Sequence, residues 1–127
     1  IYKYNLSNKI KIIHGDIKQS KLIQKFDIIV SNPPYLKNSE YQNLSLDIKK
    51  HEPKIALVAN KEDGTFFYKK IIKSFSFSLK KGGLLGFEIG DHQYKEIEKL
   101  LTNNSFKIVD RYKMINNEIR CLLAIKL

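Results

Sequence analysis

Apolar positions along the chain change spacing several times, and each change marks an element. Residues 9–14, Lys-Ile-Lys-Ile-Ile-His, alternate between polar and β-branched side chains, which predicts a strand ended by Gly15-Asp16. Residues 16–25 read as a short, weakly amphipathic connector. Phe26-Asp27-Ile28-Ile29-Val30-Ser31 is a nearly continuous apolar run, the signature of a parallel strand buried on both faces. Asn32-Pro33-Pro34-Tyr35 stops it, because neither proline can donate to a ladder. Residues 36–61 are rich in Asn, Ser, Lys and Glu and predict a long irregular loop, which in a small domain is usually functional or disordered.

Beyond the loop the period becomes helical. Phe67, Ile71, Phe75 and Leu79 recur every fourth residue, with Tyr68 and Ile72 widening the stripe. This predicts an amphipathic helix with Lys80-Lys81 in its last turn and Gly82 as its stop. Its aromatic residues Phe67 and Phe75 read as core. Residues 84–89 form the next strand. A second helix presents Tyr94, Ile97, Leu100 and Leu101, with Asp91 as its expected N-cap. Asn103-Asn104-Ser105 is a turn, and residues 106–112 and 120–126 form two strands joined by a short polar link, an antiparallel closing pair. The order β, β, α, β, α, β, β predicts an α/β layered fold with a mostly parallel sheet.

At 127 residues the chain holds one domain and one core. An apolar share of 43% argues against disorder, and no stretch is long enough to cross a bilayer. Cys121, alone, cannot form an internal disulfide, so a reducing, cytoplasmic setting is expected. The net charge of +10 is compatible with ribosomal or RNA proximity, but nearly all of it is lysine. Only Arg111 and Arg120 are arginines, a composition more typical of a solvated exterior than of a nucleic-acid footprint. His14, His51 and His92 lack metal-ligand spacing, so no metal is expected, and no nucleophile–base pair is evident. None of the six glycines forms a G-x-G-x-x-G turn. The opening Ile1-Tyr2-Lys3-Tyr4, without methionine, reads as the start of a fragment or processed product.

Asn32-Pro33-Pro34-Tyr35, at the carboxyl end of a strand where open α/β sheets bind ligands, resembles the signature of methyltransferases that use S-adenosylmethionine to modify planar, weakly nucleophilic nitrogens. Glu52-Pro53, Ala56-Leu57 and Gly64 follow at the spacing of an E-P-x-x-A-L segment. Gly82-Gly83 precedes a strand carrying Glu88 and then Gly90, and Asp110 and Arg120 lie in the closing pair. Together these features resemble the HemK/PrmC-type glutamine methyltransferases of peptide-chain release factors, from about residue 8 onward. The resemblance implies a class I S-adenosylmethionine-dependent methyltransferase sheet, Rossmann-like, with strand order 3-2-1-4-5-7-6. This chain would supply strands three to seven of a partial catalytic domain, without the Gly-rich cofactor loop or the N-terminal helical domain. Two other readings stay open: a nucleic-acid base methyltransferase acting on an exocyclic amino group, and an inactive fragment serving as a basic binding module.

The chemistry gives the tetrapeptide a role. An amide nitrogen is a poor nucleophile, since its lone pair is delocalised. The Asn32 side-chain oxygen can accept one hydrogen of a substrate NH₂ and the Pro33 carbonyl the other. Catalysis would then rest on orientation and preorganised dipoles rather than on a strong base. Pro34 would stiffen the support and Tyr35 would pack over the substrate amide or the methyl group. By resemblance, Asp16 and Asn32 contact the cofactor, Asp16 accepting from the adenine amino group. Asn32, Pro33, Tyr35, Glu52 and Pro53 would contact the substrate, the glutamine of the Gly-Gly-Gln motif of a release factor. Asp16 could instead cap a turn and Glu52-Pro53 could be a solvated loop pair. Glu88 and Arg120 could each be structural ion-pair partners.

Overall fold

The computed structural model describes residues 1–19, 22–60 and 62–127. Its sheet has four strands, β1 (Phe26–Ser31), β2 (Leu79–Glu88), β3 (Phe106–Lys113) and β4 (Ile119–Lys126), in the spatial order β1-β2-β4-β3. β1 runs parallel to β2, and β4 lies antiparallel to both β2 and β3. This order is the 4-5-7-6 side of the sheet that the resemblance implied, with the closing hairpin where the two final apolar runs placed it.

Two helices cover one face, α4 (Phe66–Phe75) and α5 (Tyr94–Thr102), numbered after three short helices of the preceding segment: α1 (Asn38–Gln42), α2 (Leu46–His51) and α3 (Lys54–Leu57). The i, i+4 stripe of α4, Tyr68, Ile71, Ile72 and Phe75, packs on the alternate residues Leu85, Phe87 and Ile89, and Ile97 and Leu101 of α5 join them with Phe106, Leu122 and Ala124. Helical and strand periods thus converge on one core. Among the described residues no helix is long and apolar enough to cross a membrane.

Five expectations change. Residues 9–14 are not a strand: they lie outside any regular element and are exposed, with Ile12 77% and Ile13 60% accessible. A ladder needs a neighbouring edge, and in the implied order two strands stand between this segment and β1. Nor is β1 buried on both faces. Ile29 packs against the core, whereas Ile28 and Val30 are 57% and 75% exposed on the opposite face, because α4 and α5 lie on one side only. The helix expected to run through Leu79 ends at Phe75, followed by a 3-10 turn over Ser76–Ser78. Leu79 keeps its core position but reaches it from β2, paired with Phe26. Gly82 is no helix stop. It sits at φ +75° in an irregularity where β1 advances from Phe26 to Ile28 while β2 advances from Leu79 to Leu84. Finally, the segment read as an irregular loop contains α1, α2 and α3, although Lys61 lies outside the described residues.

The start of α4 is held by Asp63. Its Oδ1 accepts from the Thr65 backbone N–H at 2.9 Å and the Thr65 hydroxyl at 2.7 Å, and Lys69 Nζ lies 3.1 Å from Oδ2. Burial pushes the carboxyl up, but the Thr65 and Lys69 donors outweigh it and hold the group below the ordinary 3.8. A depressed folded-state pKa stabilises the fold above the unfolded value and the benefit is lost as pH falls through the folded one. Asp63→Asn is therefore expected to cost roughly 0.5–1 kcal/mol at pH 7, allowing for solvent screening. The gap to the unmodified chain should shrink as pH falls below about 4, read from urea midpoints across pH; a gap independent of pH would contradict this.

Candidate active site

Asn32 leaves β1 directly after the last ladder pair, Ser31 with Phe87, so its backbone position is set by the sheet. The residue is exposed, Pro33 is buried, and Pro34 and Tyr35 are half-buried. Leu36 then forms a parallel bridge with Val58, its N–H donating to the Leu57 carbonyl at 3.0 Å and its carbonyl accepting from Ala59 N–H at 3.0 Å. The chain thus passes from one fixed backbone contact to another with two prolines between.

Asn32 borders cavities on both sides of the tetrapeptide. One, about 490 Å³, is walled by Asn32, Pro33, Pro34 and Tyr35 together with Ile48, Glu52 and Ala56. The other, about 580 Å³, is lined by Asn32, Pro33, Asp16, Ile17, Ile55 and Phe67. Both lie in the size range of small-molecule sites. A third, about 420 Å³ and mostly apolar, runs over the sheet face opposite α4 and α5, past Val30, Gly86 and Tyr112 to Asn32.

The residues singled out in the sequence divide accordingly. Asp16 faces the second cavity, and its Oδ1 also accepts from the Lys18 N–H at 2.9 Å, so its turn-capping role holds as well. Glu52 faces the first. Pro53 is exposed at the N-cap position of α3, outside the residues that line that cavity. Phe67 is core, as expected, with one edge on the second cavity. Asp91 does not cap α5, whose N-cap residue is Gln93; it pairs instead with Arg120.

Tyr35 is the most heavily held residue of the tetrapeptide. Arg120 Nη2 donates to its hydroxyl, and the guanidinium carbon lies 5.1 Å from its ring centroid. The Gln93 side chain bridges two loops, with Nε2 donating to the Tyr35 carbonyl at 3.2 Å and Oε1 accepting from Gly90 N–H at 3.0 Å. Arg120 in turn meets Glu88 and Asp91, each at 3.3 Å. Burial pulls the guanidinium pKa down, while Tyr35, Glu88 and Asp91 more than compensate and hold it above its ordinary value. Tyr68, beneath this cluster, donates its hydroxyl to the Glu88 carbonyl at 3.0 Å, and burial raises its pKa, so it stays neutral.

Glycines make room for this bracket. A Cβ on Gly90 would lie 2.7 Å from Tyr35 Cδ2, and one on Gly64 would lie 2.6 Å from the Tyr35 carbonyl oxygen. Sequence reading missed Gln93 entirely, and nothing in the residues around it signalled a loop-bridging amide. Arg120 did carry a signal, as one of two arginines in a chain whose other cations are lysines. A planar fork serves several acceptors at once where an ammonium does not.

No family model matches the chain. The release factor glutamine methyltransferase of Clostridium acetobutylicum is 39% identical over 124 residues, 96% of this chain and 43% of that protein. The protein of the same name from Clostridium botulinum is 38% identical over 128 residues, 99% of this chain and 45% of that one. A bifunctional methyltransferase of Rickettsia felis is 36% identical over 95% of this chain and 23% of its own length. The chain is similar in sequence to a part of proteins that carry the name release factor glutamine methyltransferase. It spans less than half the length of these relatives, and nearly all of its residues fall within the matched region.

Replacing Gly90 by alanine should push the Tyr35 ring and Gln93 apart. The expected loss is about 1–3 kcal/mol, the usual range for overpacking, seen as a lower urea midpoint with unchanged slope. An unchanged midpoint would show that the bracket is slack.

Proposed function

We propose that this chain is the catalytic portion of an S-adenosylmethionine-dependent methyltransferase. Its acceptor is the side-chain amide of the glutamine in the Gly-Gly-Gln motif of a peptide-chain release factor. The observation that carries this reading is the placement of Asn32, exposed at the carboxyl end of β1 with a cavity on either side. The names of the relatives support the acceptor.

The cavity beside Asp16 fits the base end of the cofactor. A carboxylate able to accept from an exocyclic amino group stands there beside the apolar side chains of Ile17 and Phe67. The Gly-rich turn that would approach the rest of the cofactor is not among the residues of this chain. When bound, the cofactor supplies an electrophilic methyl group on a sulfonium. Asn32 lies where the two cavities meet. Its side-chain oxygen accepts one hydrogen of the incoming NH₂ and the Pro33 carbonyl accepts the other, so that the nitrogen faces the donor side. These acceptors strengthen as the nitrogen becomes positive, which favours the transition state over the ground state. Pro34 limits how far the pair can drift, and Tyr35 and Glu52 line the acceptor cavity. The methylated amide nitrogen, positive and strongly acidic, gives its extra proton to solvent, so no side chain is required to act as a strong base.

The test is transfer of labelled methyl groups by the protein carrying this chain, offered a Gly-Gly-Gln release factor, the same factor with Gly-Gly-Glu, and RNA or DNA in parallel. Transfer to the glutamine-bearing factor alone is expected. Asn32→Ala should lower kcat by about 10²–10³-fold, the scale of losing one preorganised hydrogen-bonding group, with the cofactor Kd nearly unchanged by calorimetry. Transfer to nucleic acid instead, or full activity in the variant, would overturn the reading.

A further inference from the structure

Arg120 lies on β4, 88 positions after Asn32, yet it grips the far end of the same tetrapeptide. Asn32 has two anchors. On its N-terminal side is the Ser31 and Phe87 ladder pair. On its C-terminal side is Tyr35, reached through two residues whose φ angles are fixed by their rings. With both ends held, few free torsions remain between them, so the position of Asn32 depends on how firmly Tyr35 is seated.

We infer that Arg120 is a positioning residue for methyl transfer, fixing the Asn32 carboxamide by clamping Tyr35 across the Pro-Pro support; this rests on the function proposed above. The clamp has three contacts on Tyr35: the Arg120 hydrogen bond to the hydroxyl, the guanidinium over the ring, and the Gln93 amide on the carbonyl. The guanidinium is itself aimed by Glu88 on Nη2 and Asp91 on Nη1. Its backbone is pinned too, the Arg120 carbonyl accepting from Ile89 N–H at 2.9 Å. Its side chain is 27% exposed and that of Glu88 33%, so this pair is screened less than a surface pair. A lysine could keep one carboxylate but could not stack on the ring and serve three acceptors together. Displacement of a reacting group by about 1 Å costs on the order of 10²-fold in rate, so loosening Tyr35 is enough to be felt at Asn32.

The experiment uses Arg120→Lys, Tyr35→Ala and the double variant in the protein carrying this chain, with Arg120→Gln as a second replacement should lysine be tolerated. Methylation of a Gly-Gly-Gln release factor is measured together with amide hydrogen exchange at Tyr35 and Leu36. Arg120→Lys is expected to lower kcat about 10- to 100-fold. The KM for the factor and the cofactor Kd should stay within about twofold. The double variant should be no slower than Tyr35→Ala alone, as expected of residues acting as a unit. Exchange at Tyr35 and Leu36 should quicken while the melting temperature changes little. Additive losses in kcat, or unchanged exchange at those two amides, would overturn the inference. Absence of methyl transfer by the unmodified protein would instead count against the proposed function, and the exchange readout would still decide whether Arg120 clamps Tyr35.

Discussion

Two prolines in succession at the carboxyl end of a parallel strand leave the chain almost no choice of direction, and what the site can do follows from that constraint. β1 delivers Asn32 at the sheet edge, and Pro33 and Pro34, which have no N–H to donate, keep the chain from continuing the ladder. The bridge from Leu36 to Val58 then ties the exit of the tetrapeptide to the segment carrying α2 and α3. Cavity-lining and sheet-paired parts of the chain are thereby joined within a few residues, and the backbone at Asn32 is held from both sides.

The core supports this arrangement from one side. Tyr68 of α4 packs edge-on to Phe87, with ring centroids 5.2 Å apart, and its hydroxyl reaches the Glu88 carbonyl at the end of β2. Glu88 therefore connects the buried helix to the Arg120 cluster above it. The opposite face of the sheet is apolar and, among the described residues, uncovered, with Ile28 and Val30 exposed. Exposed apolar residues on an edge strand are a recognised association hazard.

The sequence made some parts legible and hid others for definable reasons. Strands β1, β3 and β4 and the helices α4 and α5 were readable because their apolar periods were long enough to separate 2 from 3.6. The end of α4 was not, because Leu79 continues the i, i+4 stripe while its backbone has already joined β2. Residues 9–14 have the alternation of a strand but pair with no strand among the described residues, and pairing is a property of neighbours. The helices inside residues 36–61 did leave local marks. The Ser45 hydroxyl caps α2 at Ile48 N–H, Asp47 lies in its first turn, and Lys49, Lys50 and His51 lie in its last. Of the residues that line the two cavities, Asn32, Pro33, Pro34 and Tyr35 were singled out by the motif, and Asp16 and Glu52 by the resemblance. Gln93, and the use of Gly64 and Gly90 as clearance for Tyr35, depend on loops that meet only in three dimensions.

The proposed methyl transfer turns on whether the Asn32 carboxamide receives the acceptor amide. The direct measurement is the side-chain amide signal of Asn32 in a ¹⁵N–¹H correlation spectrum of the protein carrying this chain. The signal is followed as peptides bearing Gly-Gly-Gln or Gly-Gly-Glu are added with S-adenosylhomocysteine present. The Asn32 pair of signals should move with the glutamine peptide and stay in place with the glutamate one. A glutamine peptide that binds while the Asn32 signals remain unmoved would contradict the account.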